Sequence, residues 1–516
     1  MKRFIHRYRH SITGILSGFD RLVFRGTLRK IVWAGGMMNL LWKRQVLLKD
    51  FGPFAESVTE RLKAASCQVA LDRGRPVIYL PSAATNKEET ARRIADRDKV
   101  SDGLICILSA LELCRSYSVF KNRDTKKLEL RSTPRKGLSL YHYFIDPFFG
   151  FMYARIRTWF PFDIQIGING REWLARQLDR EGVAYRRSDN CFPWIADVDR
   201  AQRLMDRLLA VSWPRHLDAL ARQINPAHSE IFRDFPARYY WSVPQSEWAT
   251  DLLFKDSSAL AHIYPGLVRH AMTAFSSTDV LRFLGRKVHG NFEGEVLSDF
   301  KHRAEGVRIK HRVGVNSVKL YDKQGSVLRA ETTLNDPKGF KAYRRKEGEP
   351  HGELAWRTMR KGVADLHRRA NVSQDSNERY LDALTVADTS TSLGDLLLPL
   401  CRPLRWKGQR VRGLRPWSPD DLALFQAVCR GEFSVNGFRN RDLQRLLFQT
   451  PPSEPKERRR RSAQITRRLR MLRAHGLIRK IPASRRYLLT NKGRDILSVV
   501  LTAQRVTLQQ LNTAAA

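Results

Sequence analysis

Between Ser418 and Arg505, helix and strand signals follow one another in an order that few small folds accommodate. Ser418-Pro419-Asp420-Asp421 opens a helix. The serine can cap free N–H groups, proline at the first helical position loses no hydrogen bond, and the acids face the positive helix end. Leu422, Leu424, Phe425 and Val428 form its inward side. A short strand is expected over Glu432-Phe433-Ser434-Val435, turning at Asn436-Gly437. A second helix is expected over Arg441 to Leu447, and a third through Ile465 to Arg473 that stops at Gly476. Leu477 to Ile481 and Tyr487 to Leu489 flank Pro482-Ala483-Ser484-Arg485-Arg486, a two-stranded ribbon with a basic tip, and Thr490-Asn491 caps a last helix.

Helix, strand, helix, helix, ribbon is the order of a winged helix-turn-helix, and the charge suits DNA. Residues 452–494 carry fifteen Lys/Arg against two acids, Glu454 and Glu457. On the third helix Ile465, Leu469 and Leu472, spaced four and three apart, share the inward side. Ala463, Arg467, Arg470 and Ala474 fall opposite. Small residues let a backbone approach a groove, and arginine can pair with guanine or phosphate. The residues expected to touch DNA are Gln464, Thr466, Arg467, Arg470 and Arg473 on this helix, with Arg485 and Arg486 on the ribbon. A merely solvated helix face would interleave acids for i,i+4 support, and none occurs between Arg458 and Ile481. The segments Gln464 to Lys480 and Tyr487 to Arg494 resemble winged-helix repressors of the MarR type, over less than a fifth of the chain. The resemblance implies duplex DNA as the partner. Thr450 to Arg461 departs from it, being too long for the tight turn between the second and third helices. This moves the expected start of the third helix toward Glu454.

The chain has 516 residues, enough for two to four domains, and 42% of them are apolar, ordinary for a globular protein. Lys+Arg number 92 against 52 Asp+Glu, a formal net charge of +40. Such a surface attracts polyanions. Nucleic acid is the expected partner, and no lysine-rich amphipathic helix points to a membrane. The six cysteines are scattered without a CxxC pair, which argues against zinc ribbons and disulfide exchange. No uncharged run reaches membrane-spanning length, and the basic start is a poor signal peptide, so the expected location is the cytoplasm. A homodimer is left open.

The expected fold class is α+β: an antiparallel-sheet platform with packed helices, followed by the winged helix. The expected divisions are 1–235, a basic α+β region; 236–350, a second α+β domain; 351–416, helix and linker; and 417–510, the winged helix. Within the second, Val318-Lys319-Leu320-Tyr321 and Leu328-Arg329-Ala330-Glu331 alternate as a hairpin about Gly325. That register sets Tyr321 opposite Arg329 and Lys319 opposite Glu331, either as an exposed ion pair or as an acid and tyrosine over a phosphodiester. The run Asn316 to Lys323 followed by Val327 to Glu331 resembles the hairpin of rolling-circle replication initiators, which nick one DNA strand with a tyrosine and a carboxylate-held metal. The resemblance implies Glu331 as a metal ligand, with Tyr321, Asp322 and Lys323 structural or touching phosphate. The preceding strand, Val307 to Val313, holds no tyrosine, and none of the 13 histidines lies two residues from another, unlike the standard nickases. Asp20, Asp146, Asp163 and Asp251 lie in or beside strand-like runs and are further carboxylates that could share Mg²⁺ or Mn²⁺ if the chain is an enzyme. Arginine-interleaved aromatics at Tyr153 to Phe160 and Arg238 to Trp241 suit either a core or stacking on single-stranded nucleic acid. The main expectation is a sequence-preferring DNA-binding protein of mobile-element or replication-initiator type. The alternatives are a metal-dependent nickase or strand transferase, and a transcriptional regulator.

Overall fold

The structure is a computed structural model that describes the chain except residues 286–295, 304–305, 347–348, 350, 386–392, 431–432, 434–436, 449, 483 and 505–516. It is mixed α+β and divides into two compact units. The first holds Met1–Ala261 and Asp299–Tyr380; the second holds His262–Phe283 and the chain from Leu381 on. Among the described residues no helix is long and apolar enough to cross a membrane.

The first unit is built on one eleven-stranded sheet. Its strands are β1 (Ile12–Leu28), β2 (Val77–Tyr79), β3 (Gly103–Lys121), β4 (Leu128–Asp146), β5 (Gly150–Arg157) and β6 (Ile164–Asn169). A separate short hairpin, β7 (Tyr185–Ser188) with β8 (Cys191–Ile195), precedes β9 (Tyr239–Phe254), β10 (Val296–Arg303), β11 (Gly306–Val313), β12 (Asn316–Lys323) and β13 (Val327–Leu334). The order is β10-β11-β12-β13-β9-β1-β6-β5-β4-β3-β2. Neighbours from β11 to β3 run antiparallel, and β2 joins β3 in parallel. β1 pairs with β9 along its whole length, from Ile12 opposite Phe254 to Leu28 opposite Tyr239. The division expected at residue 235 therefore runs through one sheet, because the two long central strands come from either side of it.

Both faces of this sheet are covered. One buries Leu22, Phe24, Phe144, Met152 and Ile166 with residues of the helices α1 (Ala34–Lys43) and α2 (Phe51–Leu71). The other buries Ile105, Leu108, Tyr141 and Tyr143 against Ala91, Ile94 and Ala95 of α3 (Lys87–Arg97). Every position of β13 is buried, so its alternation of apolar and charged residues does not mark a solvent face.

The second unit contains α4 (Pro419–Val428), α5 (Asn440–Leu447), α6 (Pro455–Ala474), the ribbon β14 (Ile478–Lys480) with β15 (Tyr487–Leu489), and α7 (Asn491–Ala503). Ser418 caps α4, its Oγ accepting from the Asp421 N–H at 3.4 Å. Leu424, Phe425, Leu443, Ile465, Leu469 and Leu472 form the core. Glu454 is the N-cap of α6, and Pro455 takes the first helical position. Most of the expected strand Glu432 to Val435, with Asn436, lies outside the described residues. What is described is one antiparallel bridge from Phe438 to Tyr487, which gives the ribbon a third backbone neighbour.

Candidate functional site

On β9, β13 and β12 one face carries Glu247 and Asp251, then Arg329 and Glu331, then Lys319, Tyr321 and Lys323. The pairing fixes this: Arg329 lies opposite Asp251 and Tyr321, and Glu331 opposite Ala249 and Lys319. The expected hairpin register is the observed one. Asp20 joins from β1 through an irregularity. Phe19 pairs with Trp248 and Arg21 with Glu247, so Asp20 is an extra residue with no partner opposite, as at a β-bulge. Oxygen atoms of Asp20, Glu247 and Glu331 lie within 4.8 Å of one another.

Arg171 reaches the cluster from the first turn of the helix Gly170–Arg180 that follows β6, capped by Asn169, whose side chain accepts from the Arg171 and Glu172 N–H groups. Gly170 permits the approach, since a Cβ there would lie 1.8 Å from the Phe19 carbonyl oxygen. Asp251 receives Arg171 Nη2 at 2.9 Å and Arg329 Nε and Nη2 at 2.6 and 2.9 Å. Burial alone would raise its pKa, but these guanidiniums hold it below the ordinary carboxylate range. Lys319 Nζ donates to Glu331 at 2.5 Å and stands 3.6 Å from Glu247. Asn190, in the β7–β8 turn, donates to Asp20 Oδ2 at 2.8 Å, accepts from Lys323 at 3.2 Å, and offers its carbonyl to Arg329 at 2.6 Å. Burial raises Asp20 and Glu247 above the carboxylate norm. Glu331 is held below it: its burial is outweighed by Lys319 and Arg329. Burial, with Glu331 nearby, pushes Tyr321 up to about 12, against the opposing pull of Lys319. A cavity of about 200 Å³ adjoins, lined by Asp20, Glu247, Asn190, Tyr153, Arg21 and Arg92 among others.

Of the expected carboxylates, Asp20 and Glu331 converge. Asp251 is taken up by its two arginines, and Asp322 alternates to the other face of β12. Asp146 caps its own turn, accepting from Phe148 and Phe149 N–H groups, and Asp163 pairs with Arg157 and Arg25. Sequence reasoning missed Glu247, although it lies four residues before Asp251 and so shares its face at period two. The pair Lys319–Glu331, expected at an exposed position, is buried: the side chains are 10% and 4% exposed. The aromatics Phe160 and Trp241 are core residues, while Tyr153 lines the cavity.

In the second unit, Ile465, Leu469, Met471 and Leu472 face inward from α6. Lys456, Arg459, Arg460, Ala463 and Arg467 are exposed, and Arg470 is half-buried. At helical spacing they make one basic stripe from Lys456 to Ala474, about 27 Å long at the α-helical rise. Thr466 bonds the Ser462 carbonyl and accepts from Asn440, Gln464 is half-buried, and Arg473 stacks on Trp406 at 5.1 Å. Arg485 is exposed near the ribbon tip, whereas Arg486 donates to the Gly437 carbonyl at 3.2 Å.

Comparison of the chain with protein-family models, with curated proteins and with solved structures gives no match.

Proposed function

We propose that this chain is a DNA-binding protein of the replication-initiator or mobile-element kind, whose C-terminal module is a winged helix that engages duplex DNA. The observation that carries this is the stripe on α6. Exposed Lys456, Arg459, Arg460 and Arg467 share a side of α6 that carries no acid, Glu457 falling beside it, and small Ala463 lies in their midst. Glu454 and Glu457 complement the helix dipole at the start of α6, so the uncompensated positive charge lies along the stripe beyond the first turn, where an anion would meet it. The ribbon that follows extends the basic surface through Arg485. Arg467 and Arg470 are the base-reading pair of this proposal; Arg459, Arg460 and Arg485 hold phosphate. The test is fluorescence anisotropy on duplex libraries across a salt series. Arg467→Ala with Arg470→Ala is expected to reduce discrimination between sequences by about 1–3 kcal/mol for each base no longer read. Arg485→Ala is expected to weaken all duplexes alike and to lower the salt slope by about 0.9. Equal loss on every sequence from the helix variant would refute base reading by α6.

A second reading, metal-assisted cleavage or strand transfer, is favoured by the convergence of Asp20, Glu247 and Glu331 beside a cavity. It requires a bound cation.

A further inference from the structure

We propose that Asp20, Glu247 and Glu331 together bind one divalent cation, of the Mg²⁺ or Mn²⁺ class, where the sheet meets the cavity. The inference supplies the premise of the second reading above and is independent of DNA binding.

Three observations support it. The first is spacing. Oxygens bonded to Mg²⁺ at ~2.1 Å stand ~3–4 Å apart, so ligand atoms within 4.8 Å close on an ion with a shift of under an ångström. The second is Asp20 itself. It is 5% exposed, and among the described residues its Oδ1 accepts no hydrogen bond; Arg329 Nη1 at 3.6 Å and Arg171 Nε at 3.9 Å, which likewise make no hydrogen bond, stand off from it. A buried carboxylate oxygen left without a hydrogen-bond donor is costly, and a metal ion is one way to satisfy it. The third is room. The cavity of about 200 Å³ adjoining Asp20 and Glu247 exceeds the volume of several waters at ~30 Å³ each, and Mg²⁺ keeps several waters. Glu88 and Asp189 line the same space, Glu88 being ion-paired to Arg21 and Arg92, so the cavity wall is acidic on balance, as suits a cation.

Lys319 sets the energetic condition. Its ammonium lies between Glu331 and Glu247 and already balances part of their charge. A cation must share those carboxylates with it. Lys319→Met therefore strengthens metal binding and makes folding depend on it, since two buried acids then rely on the ion.

The experiment is titration of Mn²⁺ into chelator-stripped full-length protein without DNA, with free Mn²⁺ read by electron paramagnetic resonance. One ion per chain, displaced by Mg²⁺ but not by cobalt(III) hexammine, is expected. Hexammine cannot take carboxylates into its coordination shell, so its competing equally would show diffuse charge attraction and overturn the proposal. Asp20→Asn and Glu247→Gln should each weaken binding by about tenfold or more. In Lys319→Met the thermal midpoint should rise with Mn²⁺ by more than in the parent. No stoichiometric ion at millimolar Mn²⁺, or an Asp20→Asn protein that binds as the parent does, also overturns it. If a variant fails to fold, the stoichiometry and the hexammine competition on the parent protein still decide. Duplex binding is measured separately, so loss of the metal site and loss of the DNA-binding reading give different results.

Discussion

Asp421, in the first turn of α4, accepts three hydrogen bonds: Arg412 Nη1 and Nη2 at 2.9 and 2.6 Å, and the Arg415 N–H at 2.8 Å. Burial alone would raise its pKa; the bonds from Arg412 and Arg415 outweigh that and hold it below the ordinary value. A folded-state pKa below the unfolded one means stability fully present above about 3.9 and lost as pH falls through the folded value. Asp421→Asn is therefore expected to flatten the acid limb of a urea-unfolding series below about pH 4 and to cost about 1–3 kcal/mol at neutral pH. Arg412 is 47% exposed, which favours the lower part of that range. An unchanged acid limb would remove Asp421 from the account. Glu331 presents the opposite balance of sequence and structure. Its partner Lys319 was legible from alternation and the Gly325 turn, because a hairpin register is a local property. Its burial was not, since that depends on what covers the sheet. Glu331→Gln leaves a buried ammonium with Glu247 alone and is expected to cost about 3 kcal/mol, read by chemical unfolding, rather than the fraction of a kcal/mol typical of an exposed pair.

At the scale of elements, the helices α4, α5 and α6 and the ribbon were readable because their signals are local: the Ser418 cap, the length of Thr450 to Arg461 that moves the start of α6 to Glu454, Gly476 at a helix end. Gly437 and Gly476 separate two reasons for glycine. Both have positive φ, +64° and +73°. A Cβ at Gly476 meets open space, but one at Gly437 would lie 2.3 Å from the Tyr487 carbonyl oxygen. Gly476→Ala is expected to cost about 1 kcal/mol from backbone strain. Gly437→Ala must also break the Phe438–Tyr487 bridge that steadies the ribbon, so it should cost about 2–3 kcal/mol and weaken duplex binding. Comparable unfolding midpoints for the two variants would argue against that role of the bridge. The sheet was less legible. β1 and β9 were each recognisable as strands, yet nothing local says that residues 12–28 pair with 239–254, and it is this long-range pairing that brings Asp20 to Glu247. The bulge at Asp20 exists only relative to a partner strand. A pattern of period two read along β1 alone cannot place it.

For the whole molecule the question is what 92 Lys and Arg do beyond the proposed winged helix. The α6 stripe and ribbon use only a few of them. In the other unit, β3 and β4 stay paired from Gly103 opposite Ile145 to Lys121 opposite Leu128, and at about 3.3 Å per residue that hairpin is about 60 Å long. Its turn carries Lys121, Arg123, Lys126 and Lys127, all exposed. An extended arm with a basic end can hold phosphate without reading bases. Replacing Arg467, Arg470 and Arg485 by Ala in the intact chain should then remove duplex sequence preference while leaving salt-sensitive binding to single- and double-stranded DNA. Replacing Lys121, Arg123, Lys126 and Lys127 by Ala should do the reverse: preference is kept, affinity falls on every DNA, and the slope of log K against log salt drops by about 0.9 for each duplex phosphate that is no longer neutralised. The slopes of the two variants, measured on the same duplex, decide the matter. Loss of all binding in the first variant, with no change of slope in the second, would mean that the charge of the sheet unit is a solvated surface and that the C-terminal module alone engages DNA.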